Sequence, residues 1–277
     1  MWLSIAEPYK KLLEQNGLQK FSDFMLFDGG KVLKRLPSRT IRKIECPSEN
    51  GKKTFFMKRH KGNVSPLDSL RAYLSGFSKS WGRKEWEVIH AFHEKGIPTL
   101  TAVAAGENVS LFHQESFLIT EELHGYQSLE MYLKTQFIPP MSKEKVTTKR
   151  ALVKEVAEIA RTMHGAGFNH RDFYCCHIFI KIEKDGKRQL KVLDLQRVDH
   201  RRFFRRRWIV KDLAALHFSA PSDVITRTDR LRFLIHYMGS KENIRHNISL
   251  IRDVVRKTGS IMKHDIKLKS RKAAKRK

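Results

Sequence analysis

Short segments in which apolar and polar side chains alternate occupy residues 31–36, 40–46 and 53–59, and this period of two predicts strands. Pro37-Ser38 and Ser48-Glu49-Asn50-Gly51 separate them as turns. The period changes over residues 82–95, where Trp86, Ile89, His90 and His93 fall along one side of a helix that Gly96-Ile97-Pro98 stops. Two further strand-like runs follow, at 101–106 and 116–121. From residue 128 the spacing is helical. A short helix is expected at 128–133, and a long one at 145–164 with Val153, Val156, Ile159, Ala160 and Met163 on its apolar face, ended by Gly165-Ala166-Gly167. Apolar runs at 178–182 and 190–195 predict a hairpin about Lys184-Asp185-Gly186. Helices are expected at 210–218, 227–237 and 244–257. Residues 267–277, basic and poor in apolar side chains, are expected to be unstructured. No element is assigned before residue 31.

Strands followed by helices make the chain α+β, with a small β-rich amino-terminal lobe at 1–122, a mainly helical carboxy-terminal lobe at 123–266 and a basic tail at 267–277. Its 277 residues suffice for a large core without covalent staples. Composition adds one strong fact: 55 Lys and Arg against 29 Asp and Glu give a net charge of +26. A polyanionic partner is implied, and a cationic small-molecule substrate is disfavoured. Cys46, Cys175 and Cys176 show neither a disulfide framework nor metal-ligand spacing, and are read as buried, reduced thiols. The amino terminus lacks a basic-then-apolar signal pattern, and no apolar run approaches the length of a membrane span. A protein that is soluble, or lies on a membrane surface, is expected.

The candidate chemistry centres on His170-Arg171-Asp172-Phe173-Tyr174-Cys175-Cys176-His177, with Asp194 seventeen residues beyond His177 inside Val192-Leu193-Asp194-Leu195-Gln196. This order resembles a protein-kinase-like fold, in which one Asp aligns the attacking hydroxyl and another holds Mg²⁺. Lys58, on a strand with apolar neighbours, can reach the α- and β-phosphates of ATP, and Glu85 on the next helix can fix it by an ion pair. Asp172 is the candidate catalytic residue, with His170 and Arg171 holding the loop's shape. Asp212 is expected to begin a helix, where it either accepts hydrogen bonds from the catalytic-loop backbone or caps its own helix.

The chain further resembles the lipopolysaccharide core heptose kinase family. The segments that carry the resemblance are Met57-Lys58-Arg59-His60-Lys61-Gly62, Glu85-Trp86-Glu87-Val88-Ile89-His90 with Gly96-Ile97-Pro98-Thr99, and Leu118-Ile119-Thr120-Glu121-Glu122-Leu123. They continue through Met163 to Asp172, Cys176-His177-Ile178-Phe179, and Arg206-Arg207-Trp208 with Asp212-Leu213. The resemblance implies a two-lobed kinase-like fold, ATP and Mg²⁺ as cofactors, and an inner-core heptose of the lipopolysaccharide core glycolipid as acceptor. It places the protein in the cytoplasm, on the inner face of the bacterial inner membrane. It assigns Lys58 and Glu85 to the nucleotide, residues 121–123 with Glu121 and Leu123 to the adenine border, and Asp194 to the metal. His177 stands where a second metal-binding Asn is usual, as a ligand or a packing residue.

No G-x-G-x-x-G loop exists, the basic turn from Arg35 to Arg39 taking its place. The interval from Asp194 to Asp212 leaves little room for an activation segment, so no phosphorylation switch is expected. Arg205, Arg206 and Arg207, in the densest internal basic cluster, are candidates to bind the anionic acceptor. The octulosonic acid Kdo is the alternative acceptor, and an acidic protein such as an acyl carrier is a candidate partner. Phe203, Phe204 and Trp208 among basic residues would also suit stacked bases in a catalytically inactive, kinase-shaped module. Intact Lys58, Asp172 and Asp194 argue against such a module, and no nucleic-acid partner is expected.

Overall fold

The longest strand, β4 (Gly51–Asn63), shows how the first part of the chain is built. In the computed structural model, which describes residues 1–48, 51–63, 80–110, 113–201 and 203–274, its side chains alternate between two environments. Phe55, Met57 and Arg59 are buried on one face, whereas Phe56, Lys58 and His60 point to the other. β4 lies between β3 (Arg39–Ser48) and β6 (His113–Glu121). With β1 (Trp2–Ile5), β2 (Lys31–Leu36) and β5 (Ala102–Val109) they form an antiparallel sheet in the order β1-β5-β6-β4-β3-β2.

The apolar face of this sheet is covered by residues to which the sequence pattern assigned no element. α1 (Glu7–Gln15) and α2 (Phe21–Leu26) lay Tyr9, Leu12, Leu13, Phe21, Phe24 and Met25 against Ile44, Cys46, Phe55, Met57, Phe117 and Ile119. Phe24 stacks on Phe117 with ring centroids 4.4 Å apart. Pro8, a breaker in a sequence reading, sits in the first turn of α1, where its missing N–H costs nothing. The opposite face carries Lys58 and meets α3 (Trp81–Glu94). Met1–Ala91 with Leu100–His124 form one compact unit, and Phe92–Thr99 with Gly125–Lys277 a second.

The second unit is mostly helical: α4 (Leu129–Gln136), α5 (Lys143–Gly165), α6 (Arg206–Ser219), α7 (Arg227–Met238), α8 (Lys241–His246) and α9 (Ile248–Ala274). Ser128, Ser142, Thr226 and Ser240 cap four of these helices through their hydroxyl oxygens. Two small antiparallel sheets place the loops. β9 (Ile178–Ile182) and β10 (Arg188–Val192) form the expected hairpin, with β7 (Gln127–Ser128) added to β9. β8 (Phe168–Asn169) pairs with β11 (Asp199–His200), tying the residues just before His170 to those just after Asp194. Inside the helical body, Lys149 on α5 meets Asp229 on α7 at 2.7 Å, and donates to the Val224 carbonyl at 2.9 Å, with both charged groups buried.

Four expectations are corrected. The helix predicted at 244–257 is divided at Asn247 into α8 and α9, and α9 continues to Ala274 through most of the tail read as unstructured. Lys, Arg, Ala and Leu are all good helix formers, and Asp265 pairs with Lys269 one turn on, at 2.8 Å. The helix predicted from residue 210 starts at Arg206, because the arginines read as loop favour helix equally well. Cys46 and Cys175 are buried, but Cys176 is exposed. Among the described residues no helix is long and apolar enough to cross a membrane.

Lys149→Met should take the buried ammonium from Asp229, leaving it Arg232 and Thr226, and destabilise the protein by about 3 kcal/mol, read as a fall in the denaturation midpoint. An unchanged midpoint would exclude that role for the pair. His60 gives a pH dependence: burial, with Arg39 and Lys58 nearby, pushes its pKa from 6.5 to about 4. The unfolded chain therefore binds this proton at a higher pH than the folded one, and stability falls as pH drops through that window. His60→Gln should remove a slope of up to about 1.4 kcal/mol per pH unit there, measured by urea titrations from pH 7 to pH 4.

Candidate active site

On the first unit, the site begins where α3 is pinned to the sheet. Ser80 N–H donates to Glu107 (3.0 Å) and Gly82 N–H to Ser116 Oγ (3.2 Å). A Cβ at Gly82 would stand 2.6 Å from the Phe117 carbonyl oxygen, so only glycine permits this approach. One turn on, Glu85 is buried to 1% exposure and accepts from Lys58 Nζ at 2.7 Å. Its other carboxylate oxygen accepts no hydrogen bond among the described residues. The ammonium of Lys58 is thus held in place by an anion that water hardly reaches, a pairing that is costly to break.

The end of β6 divides the residues expected at the adenine border. Glu121 lies opposite Phe55 in the ladder, on the face carrying α1, and its carboxylate takes a hydrogen bond from Tyr9. Burial and that neighbouring carboxylate push the Tyr9 pKa up. Glu121 therefore presents its side chain away from Lys58. Glu122, inside the segment expected at the adenine border, pairs with Lys43 at 2.7 Å, and Leu123 is half-buried.

On the second unit, the His170-Arg171-Asp172 loop is organised by Asp212, fully buried in the second turn of α6. Its two carboxylate oxygens accept the main-chain N–H groups of His170 and Arg171, each at 2.7 Å. His164 Nε2 stands 3.3 Å from the same group and is oriented by Tyr237 through its other nitrogen, at 2.8 Å. Asp212 neither begins nor caps a helix, since α6 has started six residues earlier. His170 is buried, which pushes its pKa down, and its Nε2 lies 2.8 Å from the Leu193 carbonyl, beside Asp194. Arg171 and Asp194 both adopt left-handed backbone conformations, with φ of 69° and 60°. Such strain in residues other than glycine persists only where the surroundings enforce it.

Asp172 carries more partners than the motif disclosed. Arg197 Nη1 reaches both its oxygens, at 2.9 and 2.8 Å, and Lys211 Nζ stands 4.0 Å from Oδ1. Burial and the adjacent Arg197 lower the Lys211 pKa. Arg171 lies 3.9 Å from Asp199 and 4.7 Å from the centroid of Trp208. Arg197, Lys211, Asp199 and Trp208 went unassigned or were read otherwise because their roles depend on contacts made across the fold. Only the closeness of Arg197 to Asp194 and of Lys211 to Asp212 hinted at them.

The three arginines expected at the acceptor are engaged differently. Arg205 donates to the His164 carbonyl and is structural, Arg206 pairs with Asp253 at 2.7 Å, and Arg207 lies over Trp208 at 4.7 Å. His177 bridges the two candidate segments, those of Asp172 and Asp194. Its Nδ1 lies 2.8 Å from the Asp172 carbonyl and its Nε2 3.7 Å from Asp194 Oδ2. A nitrogen facing a carbonyl must donate, so a neutral His177 turns a lone pair toward the half-exposed Asp194 carboxylate. Two acceptors facing each other suit a cation between them. Among the described residues no group of three or more His, Cys, Asp or Glu could hold a metal ion. Mg²⁺ needs no such group, being commonly bound through one or two carboxylates together with substrate phosphates.

Residues 40–237 match the model of the lipopolysaccharide kinase (Kdo/WaaP) family. The chain is 37% identical over 242 residues to the lipopolysaccharide core heptose(I) kinase WaaP of Pseudomonas aeruginosa, covering 86% of each protein. It is 33% identical over 247 residues to WaaP of Escherichia coli, covering 86% of this chain and 88% of that protein. A solved structure described as WaaP in complex with acyl carrier protein shares the fold with a TM-score of 0.72 and 35% identity, over 94% of this chain and 99% of that one. With kinase motifs on a β-rich unit and a helical unit, and relatives of this similarity along most of its length, the chain belongs to the lipopolysaccharide kinase (Kdo/WaaP) family.

Proposed function

We propose that this protein is an ATP-dependent kinase that phosphorylates an inner-core heptose of lipopolysaccharide while the core is being built. The observation that carries the assignment is Asp172, aligned by Asp212 through its loop and flanked by Arg197 and Lys211, with Asp194 and His177 facing each other beside it. Lys58, fixed by Glu85, contacts the α- and β-phosphates. Asp194, with His177, would hold Mg²⁺, which would supply neutralisation of charge on the phosphates. Asp172 accepts a hydrogen bond from the acceptor hydroxyl and points its oxygen at the γ-phosphorus. The new oxygen–phosphorus bond forms as the bond to the β-bridging oxygen breaks, ADP leaves, and the hydroxyl proton passes to Asp172. The cations on Asp172 restrict its orientation, so its main service is alignment of the nucleophile.

The net charge is consistent with the acceptor and the place of work that the family suggests. A protein of +26 is attracted to the phosphorylated, carboxylate-bearing core glycolipid and to the anionic cytoplasmic face of the inner membrane. An acyl carrier protein is the proposed acidic partner, on the strength of the related complex. An apolar cavity of about 150 Å³ in the second unit, lined by Leu133, Val156, Leu216, Phe233, Leu234 and Val254, suits the acyl chain that such a carrier presents.

Incubation with labelled ATP and unphosphorylated core glycolipid, followed by mass spectrometry, should place phosphate on a heptose. Phosphate on the octulosonic acid would transfer the assignment to that sugar, and no phosphate on any sugar would refute the kinase reading. Asp172→Asn should lower kcat by about 10²–10⁴-fold, whereas Lys58→Met should chiefly raise KM for ATP. Asp212→Ala should release the amides of His170 and Arg171 to rapid hydrogen exchange with loss of activity. Retained protection at those two amides would show that another group holds the loop.

A further inference from the structure

The start of α6 collects positive charge around one ring. The guanidinium carbons of Arg171, Arg201 and Arg207 lie 4.7, 4.8 and 4.7 Å from the centroid of Trp208, and Lys211 Nζ lies 5.9 Å away. Arg171 and Arg201 share one carboxylate, Asp199, at 3.9 and 2.8 Å. Next to this cluster, a cavity of about 420 Å³ is lined by Arg206, Arg207, Trp208, Val210, Lys211, Asp253 and Lys257. Such a volume lies within the range of small-ligand sites, roughly 300–1,000 Å³. Its lining sets four cations against Asp253, and that carboxylate already bridges Arg206 at 2.7 Å and Arg256 at 3.3 Å. Cation–π contacts offset only part of the mutual repulsion. An anion in the cavity would turn the repulsion into attraction.

Lys211 gives this cavity a functional address. It lines the cavity and also stands 4.0 Å from Asp172, which aligns the acceptor hydroxyl under the kinase reading on which this inference rests. Burial and Arg197 lower the Lys211 pKa, and an anion beside it would act in the opposite direction.

We propose that the cavity framed by Arg206, Arg207, Trp208, Lys211 and Lys257 is a subsite for an anionic substituent of the acceptor, a sugar carboxylate or a phosphomonoester, borne near the hydroxyl that is phosphorylated. Arg207 and Lys257 bind the anion from the solvent side, Trp208 supplies a flat wall for the sugar, and Lys211 sets the distance from the anion to the reacting hydroxyl. The subsite thereby selects acceptors that already carry negative charge.

The test compares three acceptors: the unphosphorylated-heptose core glycolipid as isolated, the same glycolipid with its carboxylates converted to methyl amides, and the same glycolipid with its existing phosphates removed. For the wild-type protein, KM should rise about tenfold for whichever neutralised acceptor lacks the bound group, the worth of a charge-assisted contact. That arm identifies the source. In the Arg207→Gln, Lys257→Gln double variant the ratio of the two KM values should collapse to about twofold or less, with KM for ATP the control for general damage. Equal KM values for all three acceptors in the wild-type protein, or a ratio kept in full by the variant, would overturn the subsite while leaving the kinase assignment standing. Calorimetric titration of inorganic phosphate needs no turnover and separates the two questions further. Weaker binding by the double variant supports the subsite, and equal binding by both proteins counts against it.

Discussion

A carboxylate with no exposure to water sits behind the catalytic loop, and its only compensation is what the fold aims at it. Asp212 receives the main-chain N–H groups of His170 and Arg171, and His164 is close enough to contribute. An ionised group in such surroundings is expensive to bury unless its acceptor capacity is used. The dependence also runs the other way. Arg171 occupies a left-handed conformation, costly for a side chain with a Cβ, and the bond from its N–H to Asp212 helps to hold it there. Through His164 and Tyr237 the same network reaches α5 and α7. Four elements, β8, α5, α6 and α7, therefore fix one short turn.

The first unit solves a similar problem with opposite charge placement. Glu85 is buried and Lys58 is its partner, so the fixed group is an anion and the useful group a cation that keeps some access to solvent. The glycine at the start of α3 lets the helix approach the sheet closely enough for that pair to form. In both units the buried member serves as support and leaves a neighbouring group more accessible to solvent.

The sequence disclosed much of this and missed the remainder for definite reasons. Alternation located the strands of the sheet, and helical spacing located α3, α4, α5 and α7 to within a few residues, because each has one dry face. The order of Lys58, Glu85, Asp172 and Asp194 was legible, since those residues stand in motifs of fixed spacing. Arg197 and Lys211 were not, because a cation among 55 has nothing local to distinguish it until the fold sets it on Asp172. Glu121 fails to face Lys58 for a reason of pleat: one step along a strand reverses the side chain. Arg205 was grouped with its neighbours by charge, whereas geometry commits it to the His164 carbonyl.

The first residues of the chain carry a further consequence. β1 pairs with β5, and α1 and α2 rest on β3, β4 and β6, so the set of partners for this segment is complete only once residue 121 exists. During synthesis the rings of Phe21 and Phe24 must wait for Phe117, more than ninety residues later in the chain. The loop to be closed is long, which makes this step slow relative to local helix formation. A nascent chain with its first helices exposed is at its most vulnerable to aggregation then. The amino terminus is thus the latch of the first unit, and a tag or truncation there disturbs assembly far more than one appended after α9.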